Sequence, residues 1–148
     1  MSQIDVDVRG LEPLNRFLKE FWVKAPEIIN DELYKIVIGI SNDVKKSMRG
    51  SPSGGKWYKR KGIFHQASLP GFPPRIDRGG LVGRMITEKG YGYAELIENT
   101  LYAKYLEFGT KKMEARPHLE PAIERSNWQG QLVNRLIAER FAGRSVAP

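Results

Sequence analysis

Cysteine is absent from all 148 residues. Disulfide scaffolds, thiolate zinc sites and cysteine nucleophiles are therefore excluded. Histidine occurs only twice, at His65 and His118, which leaves little for a histidine-rich metal centre. The apolar run Ile36-Val37-Ile38-Gly39-Ile40 is far shorter than the ~20 residues that span a membrane. The start, Met1-Ser2-Gln3-Ile4-Asp5, is polar and lacks the apolar segment of a secretory leader, so a soluble, intracellular protein is expected, with no membrane partner. Asp and Glu are missing from one long window, Val44 to Ile76. It carries eight cations: Lys45, Lys46, Arg49, Lys56, Lys59, Arg60, Lys61 and Arg75. The formal net charge is +7, so the chain outside this window is nearly neutral.

What is present is ordinary for a folded domain: 41% hydrophobic and 28% charged residues. The length predicts a single domain over 1–148. Residues 3–9 alternate, with Ile4, Val6 and Val8 on one side and Asp5, Asp7 and Arg9 on the other, which predicts a half-buried strand ended by Gly10. Leu14, Phe17, Leu18, Phe21 and Trp22 then follow helical spacing up to Ala25-Pro26, where an interruption is expected. A second helix is predicted from Pro26 to Met48, burying Ile29, Leu33, Ile36, Val37, Ile40, Val44 and Met48. Its cations gather toward the C-terminal end, where they complement the helix dipole.

Residues 50–79 are rich in Gly, Pro and Ser (Gly50-Ser51-Pro52-Ser53-Gly54-Gly55, then Ser68-Leu69-Pro70-Gly71-Phe72-Pro73-Pro74) and read as a long exposed basic loop or arm. A loop of this length in a compact domain is functional, or orders on a partner. Aromatic side chains interleave with its cations in Lys56-Trp57-Tyr58-Lys59-Arg60-Lys61 and Ile63-Phe64-His65. That mixture suits phosphate contact plus stacking. It suits an acidic protein neighbour equally well, or a solvated loop with Trp57, Tyr58 and Phe64 pinned on the core.

A hairpin is expected after the arm: a strand over Leu81–Glu88, a turn at Lys89-Gly90-Tyr91-Gly92 and a strand over Tyr93–Asn99. Leu101, Tyr102, Tyr105, Leu106 and Phe108 fit a helical turn ending at Gly109, with a short strand as the alternative. Lys111–His118 reads as an exposed connector closed by Arg116-Pro117. Leu119 to about Ala142 reads as one amphipathic helix, bent at Gly130, that buries Ile123, Trp128, Leu132, Val133, Leu136, Ile137 and Phe141. The tail from Gly143 should fray. Helices on a small antiparallel sheet, with a long extended arm, make the class α+β.

Catalytic patterns are weak. His65 beside Lys59, Arg60 and Lys61 mimics the general base and cations of a ribonuclease, yet a lone histidine in a basic loop is more often a polar surface residue. His118 and Glu120 have no further ligand to complete a zinc site. Glu95 and Glu98 point to opposite faces of a strand, so Glu95, Glu98 and Glu107 pair only if the fold gathers them. The glycines match no phosphate-loop fingerprint. A non-enzymatic protein with no cofactor and no metal is expected.

Several strings taken together resemble a family. Tyr102-Ala103-Lys104-Tyr105-Leu106-Glu107-Phe108-Gly109-Thr110, then Lys112-Met113 and Ala115-Arg116-Pro117-His118-Leu119, resemble a hallmark of the small tail-completion or head–tail joining proteins of tailed bacteriophages, often labelled minor tail components. Ala67-Ser68-Leu69-Pro70-Gly71 and Asp77-Arg78-Gly79-Gly80-Leu81 are similar to its Ala-Ser-x-Pro-Gly and Asp-Thr-Gly-x-Leu elements, and Val8-Arg9-Gly10-Leu11-Glu12 to its opening. Arg78 and Phe72 depart from the pattern, standing where Thr or Ser and a polar residue are commoner.

The resemblance implies a structural virion protein at the neck or the head-proximal end of the tail, made in the host cytoplasm. It implies a ring of copies of itself, commonly sixfold, that finishes the tail or bridges it to the head. Partners would be neck or adaptor proteins and tail-tube or tail-terminator proteins, with weak, sequence-independent contact to transiting DNA. The arm, with Lys56, Trp57, Tyr58, Lys59, Arg60, Lys61, Phe64 and Arg75, would be the assembly element or line a DNA channel. The motif positions are Pro70, Gly71, Asp77, Gly79, Tyr102, Tyr105, Glu107, Gly109, Arg116 and Pro117. Of these, Tyr102 and Tyr105, with Leu106 and Phe108, are expected to pack the hairpin against a helix. Glu107 is expected to cap a turn or pair with Arg116. The alternative function is a small basic DNA-binding module.

Overall fold

A computed structural model describes residues 12–141, so the strand expected at 3–9 and the fraying tail from Gly143 lie outside the described residues. Four helices and four strands follow in the order α1 (Glu12–Arg49), β1 (Ser53–Arg60), β2 (Ile63–Ser68), β3 (Met85–Gly90), β4 (Tyr93–Glu98), α2 (Ala103–Phe108), α3 (Glu120–Ser126) and α4 (Trp128–Phe141). The class is α+β, but the strands form two separate antiparallel pairs, β1–β2 and β3–β4.

The first correction concerns Pro26. The chain does not break there: α1 runs uninterrupted for 38 residues with Pro26 inside it. A proline in a helix interior forfeits one backbone hydrogen bond and costs roughly 3 kcal/mol. The packed stripe downstream, Ile36 to Met48, and burial of the neighbouring Ala25 offset that cost. The C-terminal half of α1 is the spine of the core. Ile36, Ile40, Val44 and Met48 recur every fourth residue, and all four are buried. Full burial of side chains the size of Val44 and Met48 contributes about 1.5–3 kcal/mol each. The N-terminal half behaves differently. Leu18 and Trp22, expected on a buried stripe, are exposed, as is Val23. Nothing is described of the Leu14 and Phe17 side chains. Lys46 and Arg49 close the last turn, and the Gly50 N–H reaches the Lys46 carbonyl at 3.0 Å.

β3–β4 packs on this spine. Its inward residues Met85 and Leu96 join Ala103, Leu106, Leu119 and Ala122 against α1. Its tight turn, Tyr91-Gly92, is tied to the middle of the same helix, where the Gly92 N–H donates to Asn30 Oδ1 and Lys89 pairs with Asp31 at 3.0 Å. The first strand begins at Met85 rather than Leu81, because Val82–Arg84 form a single 3-10 turn. The helical turn expected to end at Gly109 is α2, and the alternative strand does not form.

The single closing helix expected from Leu119 is two helices. Asn127 breaks it with φ 44° and ψ 43°. Asparagine tolerates this left-handed conformation better than most residues, so the break falls there and not at Gly130. Reorienting the chain leaves Ile123, Val133 and Ile137 largely exposed, while Trp128 and Leu132 pack on the core as expected. The Phe141 side chain lies outside what is described.

Candidate functional site

The arm at 50–79 is exposed as expected, but its first half is not structureless. Residues 53–68 form the hairpin β1–β2, with Trp57 opposite Gln66, Tyr58 opposite His65, Lys59 opposite Phe64 and Arg60 opposite Ile63. The two turn residues, Lys61 and Gly62, have φ of 50° and 82°. Left-handed residues at both central positions make the tight connection whose twist matches paired strands. Near the root the register shifts between Ser53 and Trp57, so β1 carries a bulge. Gly55 sits in it because a Cβ there would collide with the Ser68 carbonyl oxygen.

The root is held at several points. Leu69 N–H donates to the Pro52 carbonyl at 3.3 Å, and the Ser51 hydroxyl to the Pro73 carbonyl. Arg116 grips Ser68 from the other side. Its Nε donates to Ser68 Oγ at 3.1 Å, and its Nη2 to the Ser68 carbonyl at 3.3 Å. Arg116 therefore does not pair with Glu107, which corrects one of the two expectations for that carboxylate. The Gly71 N–H donates to the Ala115 carbonyl at 2.9 Å, with Gly71 at φ 77°. Pro70-Gly71 and Arg116-Pro117 thus form one junction between arm and body.

Beyond the root the hairpin stands clear. Trp57 is 61% exposed and Phe64 65%, so neither is pinned on the core, and Tyr58 and Ile63 are exposed as well. Lys56, Lys59, Arg60 and Lys61 are exposed with them, and Lys59 Nζ lies 5.4 Å from the centre of the Phe64 ring. The hairpin and the loop after it enclose an open groove of about 870 Å³. Five arginines line it: Arg60, Arg75, Arg78, Arg84 and Arg116. Its one acidic residue, Asp77, is occupied by His65, with Oδ1 2.6 Å from Nδ1. His65 is thereby tied down beneath Tyr58, and its buried Nε2 has no hydrogen-bond partner. Gly79, at φ 72°, turns the chain along the groove wall, and its carbonyl accepts the Gly83 N–H at 2.7 Å.

Of the remaining motif positions, Glu107 meets His118. This residue is not on an exposed connector: its relative exposure is 0%. Its Nε2 lies 2.9 Å from Glu98 Oε1, and its Nδ1 lies 3.2 Å from the Arg116 carbonyl and 2.8 Å from Glu107 Oε2. Both ring nitrogens face acceptors, an arrangement that favours the doubly protonated, charged ring. Burial works against that charge. The hydrogen bond and charge of Glu98 outweigh it, helped by the Arg116 carbonyl and the charge of Glu107, and the pKa rises above the usual 6.5. Glu107 does cap a turn. Its carboxylate accepts the backbone N–H groups of His118 (2.9 Å), Leu119 (3.2 Å) and Glu120 (2.9 Å) at the entry to α3. Gly109 ends α2 at φ 72°, and a Cβ there would meet the Ala115 nitrogen at 2.8 Å.

Tyr102, Tyr105 and Phe108 do not pack the hairpin on a helix. Tyr102 and Tyr105 are about half exposed and Phe108 is 80% exposed, leaving Leu106 and Ala103 as the inward residues of α2. Glu95 stays apart from Glu98 and Glu107. Ser68 and His118, which sequence reasoning placed in the resembling strings without an anchoring role, anchor the arm and the body respectively. Neither has a local sequence signal, because their partners lie 48 residues away for Ser68 and 11 and 20 away for His118. Among the described residues no helix is long and apolar enough to cross a membrane. No group of His, Asp and Glu among them could hold a metal ion. No protein-family model, no curated protein and no solved structure matches the chain.

Proposed function

We propose that this protein is a structural, non-enzymatic component of a tailed-phage virion. In this reading it forms a ring of copies at the head–tail interface or the head-proximal end of the tail, and it completes the tail or joins it to the head. The observation that carries the reading is the β1–β2 hairpin. Its base is anchored through Ser51, Ser68 and Arg116, while Trp57, Tyr58, Ile63 and Phe64 stand in solvent. An ordered projection with large exposed apolar side chains is an interaction element in need of a protein surface. The exposed Tyr105 and Phe108 within the resembling segment favour contact with a partner in the same way.

Electron microscopy of lysates from the parent phage lacking this gene tests the proposal. Filled heads beside separate tails are expected. Tails of normal length assign a joining role, and overlong tails a terminating role. Complete particles of normal shape would sink the reading.

The arginine-lined groove favours a second reading, a small DNA-binding module. Its aromatic and cationic walls suit a nucleic acid held by phosphate contacts and stacking. Tight duplex binding at moderate salt, lost when Lys56, Lys59, Arg60 and Lys61 are replaced, would favour it over assembly.

A further inference from the structure

Among the described residues, two surfaces of opposite character are left without partners. The outer face of β3–β4 carries Ile86, Glu88, Tyr93, Glu95 and Ile97, because alternate residues of each strand turn away from α1. Glu88 stands directly opposite Glu95, and Ile86 directly opposite Ile97. Like charges at directly opposed positions destabilise a strand pair. Neither carboxylate has an ion pair among the described residues to relieve this. The hairpin β1–β2 presents the complement. Trp57, Lys59, Phe64 and Gln66 share one of its faces, Lys56 and Lys61 bracket this stretch of β1 in sequence, and none of the three lysines has an acidic partner among the described residues.

We propose that the β1–β2 hairpin of one copy docks on the outer β3–β4 face of the next, Lys56, Lys59 and Lys61 meeting Glu88 and Glu95 while Trp57 and Phe64 cover Ile86, Ile97 and Tyr93. The inference rests on the ring reading above and names the two surfaces that would close the ring.

A single copy does not satisfy itself in this way among the described residues, where no lysine of the hairpin pairs with Glu88 or Glu95. The β3–β4 turn is fixed at Asn30 and Asp31 of α1, and the hairpin leaves the same helix after Arg49. At 1.5 Å per residue those points are about 27 Å apart along the helix. The two surfaces also differ from each other, so the contact is heterologous: each copy gives its hairpin to one neighbour and its sheet to the other. Such contacts generate rings when the rotation closes.

The absence of cysteine makes the test clean, since every thiol is one that has been introduced. The double variant Lys59→Cys with Glu95→Cys is treated with a short bismaleimide at high protein concentration and run on a denaturing gel. A ladder extending past the dimer is expected. Each single variant can give no more than a covalent dimer. A double variant that gives no product beyond those of the single variants overturns the proposal, and so does one that stops at a dimer, which signals a reciprocal two-fold contact.

A charge exchange provides the second readout. The variant K56E/K59E/K61E alone, and E88K/E95K alone, should each self-associate at least tenfold more weakly than the wild type. Mixed, they should recover, because the acidic hairpin of one fits the basic sheet of the other in alternation. All five positions are exposed, so folding should survive, and equal melting temperatures verify it. Failure of the mixture to recover association overturns the pairing. The gene-deletion lysate separates the two levels: defective particles without a ladder remove this contact and leave the assembly role standing, whereas normal particles remove both.

Discussion

Glu107 and His118 hold each other from two directions. The carboxylate accepts the backbone N–H of His118 at 2.9 Å, and its Oε2 lies 2.8 Å from Nδ1 of the same residue. One side chain thus fixes both the path of the backbone into α3 and the charge of the ring beside it.

Replacing Glu107 with Gln should show how much that double role contributes. The amide keeps the size of the side chain but turns one acceptor oxygen into a donor facing the N–H groups of His118, Leu119 and Glu120. A loss of about 1–3 kcal/mol is expected for stranding buried donors. For a domain of this size that corresponds to a melting temperature lower by roughly 2–4 °C per kcal/mol. Calorimetry checks it, and an unchanged melting temperature would remove the carboxylate from the stability of the fold.

The raised pKa of His118 gives stability a definite pH dependence. The folded value lies above the 6.5 of the free side chain. The folded state therefore holds the proton more tightly, and this contribution is complete below about pH 6.5 and lost as pH rises through the folded pKa. Urea denaturation across pH 6 to 9 should show stability falling over that interval. In Glu98→Gln the slope should flatten, because the main group holding the charge is gone. A wild-type profile without this fall would contradict the buried imidazolium.

Arg116→Lys separates charge from geometry. The guanidinium reaches both the hydroxyl and the carbonyl of Ser68, which a single ammonium cannot reproduce. A cost of about 1 kcal/mol is expected. The more telling readout is limited trypsin digestion: cleavage after Lys59, Arg60 or Lys61 should quicken as the root of the hairpin loosens.

Lys61 occupies a left-handed position at the hairpin tip, where Asn is better suited. Lys61→Asn should raise stability slightly and slow cleavage after Lys59 and Arg60, the trypsin site at position 61 being gone. A drop in melting temperature would mean that the turn is not what holds the strands in register.

The parts of the fold legible in the sequence are those whose apolar period is set by the core. The stripe from Ile36 to Met48 buries one face, so its spacing announces it, while β3–β4 is announced by the two glycines of its turn, Gly90 and Gly92, between β-compatible runs. The hairpin β1–β2 has no buried face beyond its root, so its exposed Trp57, Tyr58, Ile63 and Phe64 lack an in–out alternation, and Gly54-Gly55 reads as loop when it is a bulge. Pro26 and Asn127 mislead in opposite senses. The proline penalty is overridden by helical packing downstream, whereas the break at Asn127 costs little and leaves the apolar spacing of Ile123 to Ile137 looking continuous. At the candidate site the exposed basic arm was visible from composition alone. The cluster of Glu98, Glu107 and His118 was not, since three elements must fold before those groups meet.

The same cluster bears on the order in which the chain folds. His118 finds Glu107 and Glu98 at separations of 11 and 20 residues, and β3 pairs with β4 through a tight turn. By contrast, α1 meets the rest through pairs such as Lys89–Asp31 and Arg125–Asp43, which are 58 and 82 residues apart. Closing short loops is entropically cheaper than closing long ones, so the segment from Met85 to Glu120 is expected to collapse ahead of its docking on α1. Damage inside that segment then slows refolding, while damage to the α1 contacts chiefly hastens unfolding.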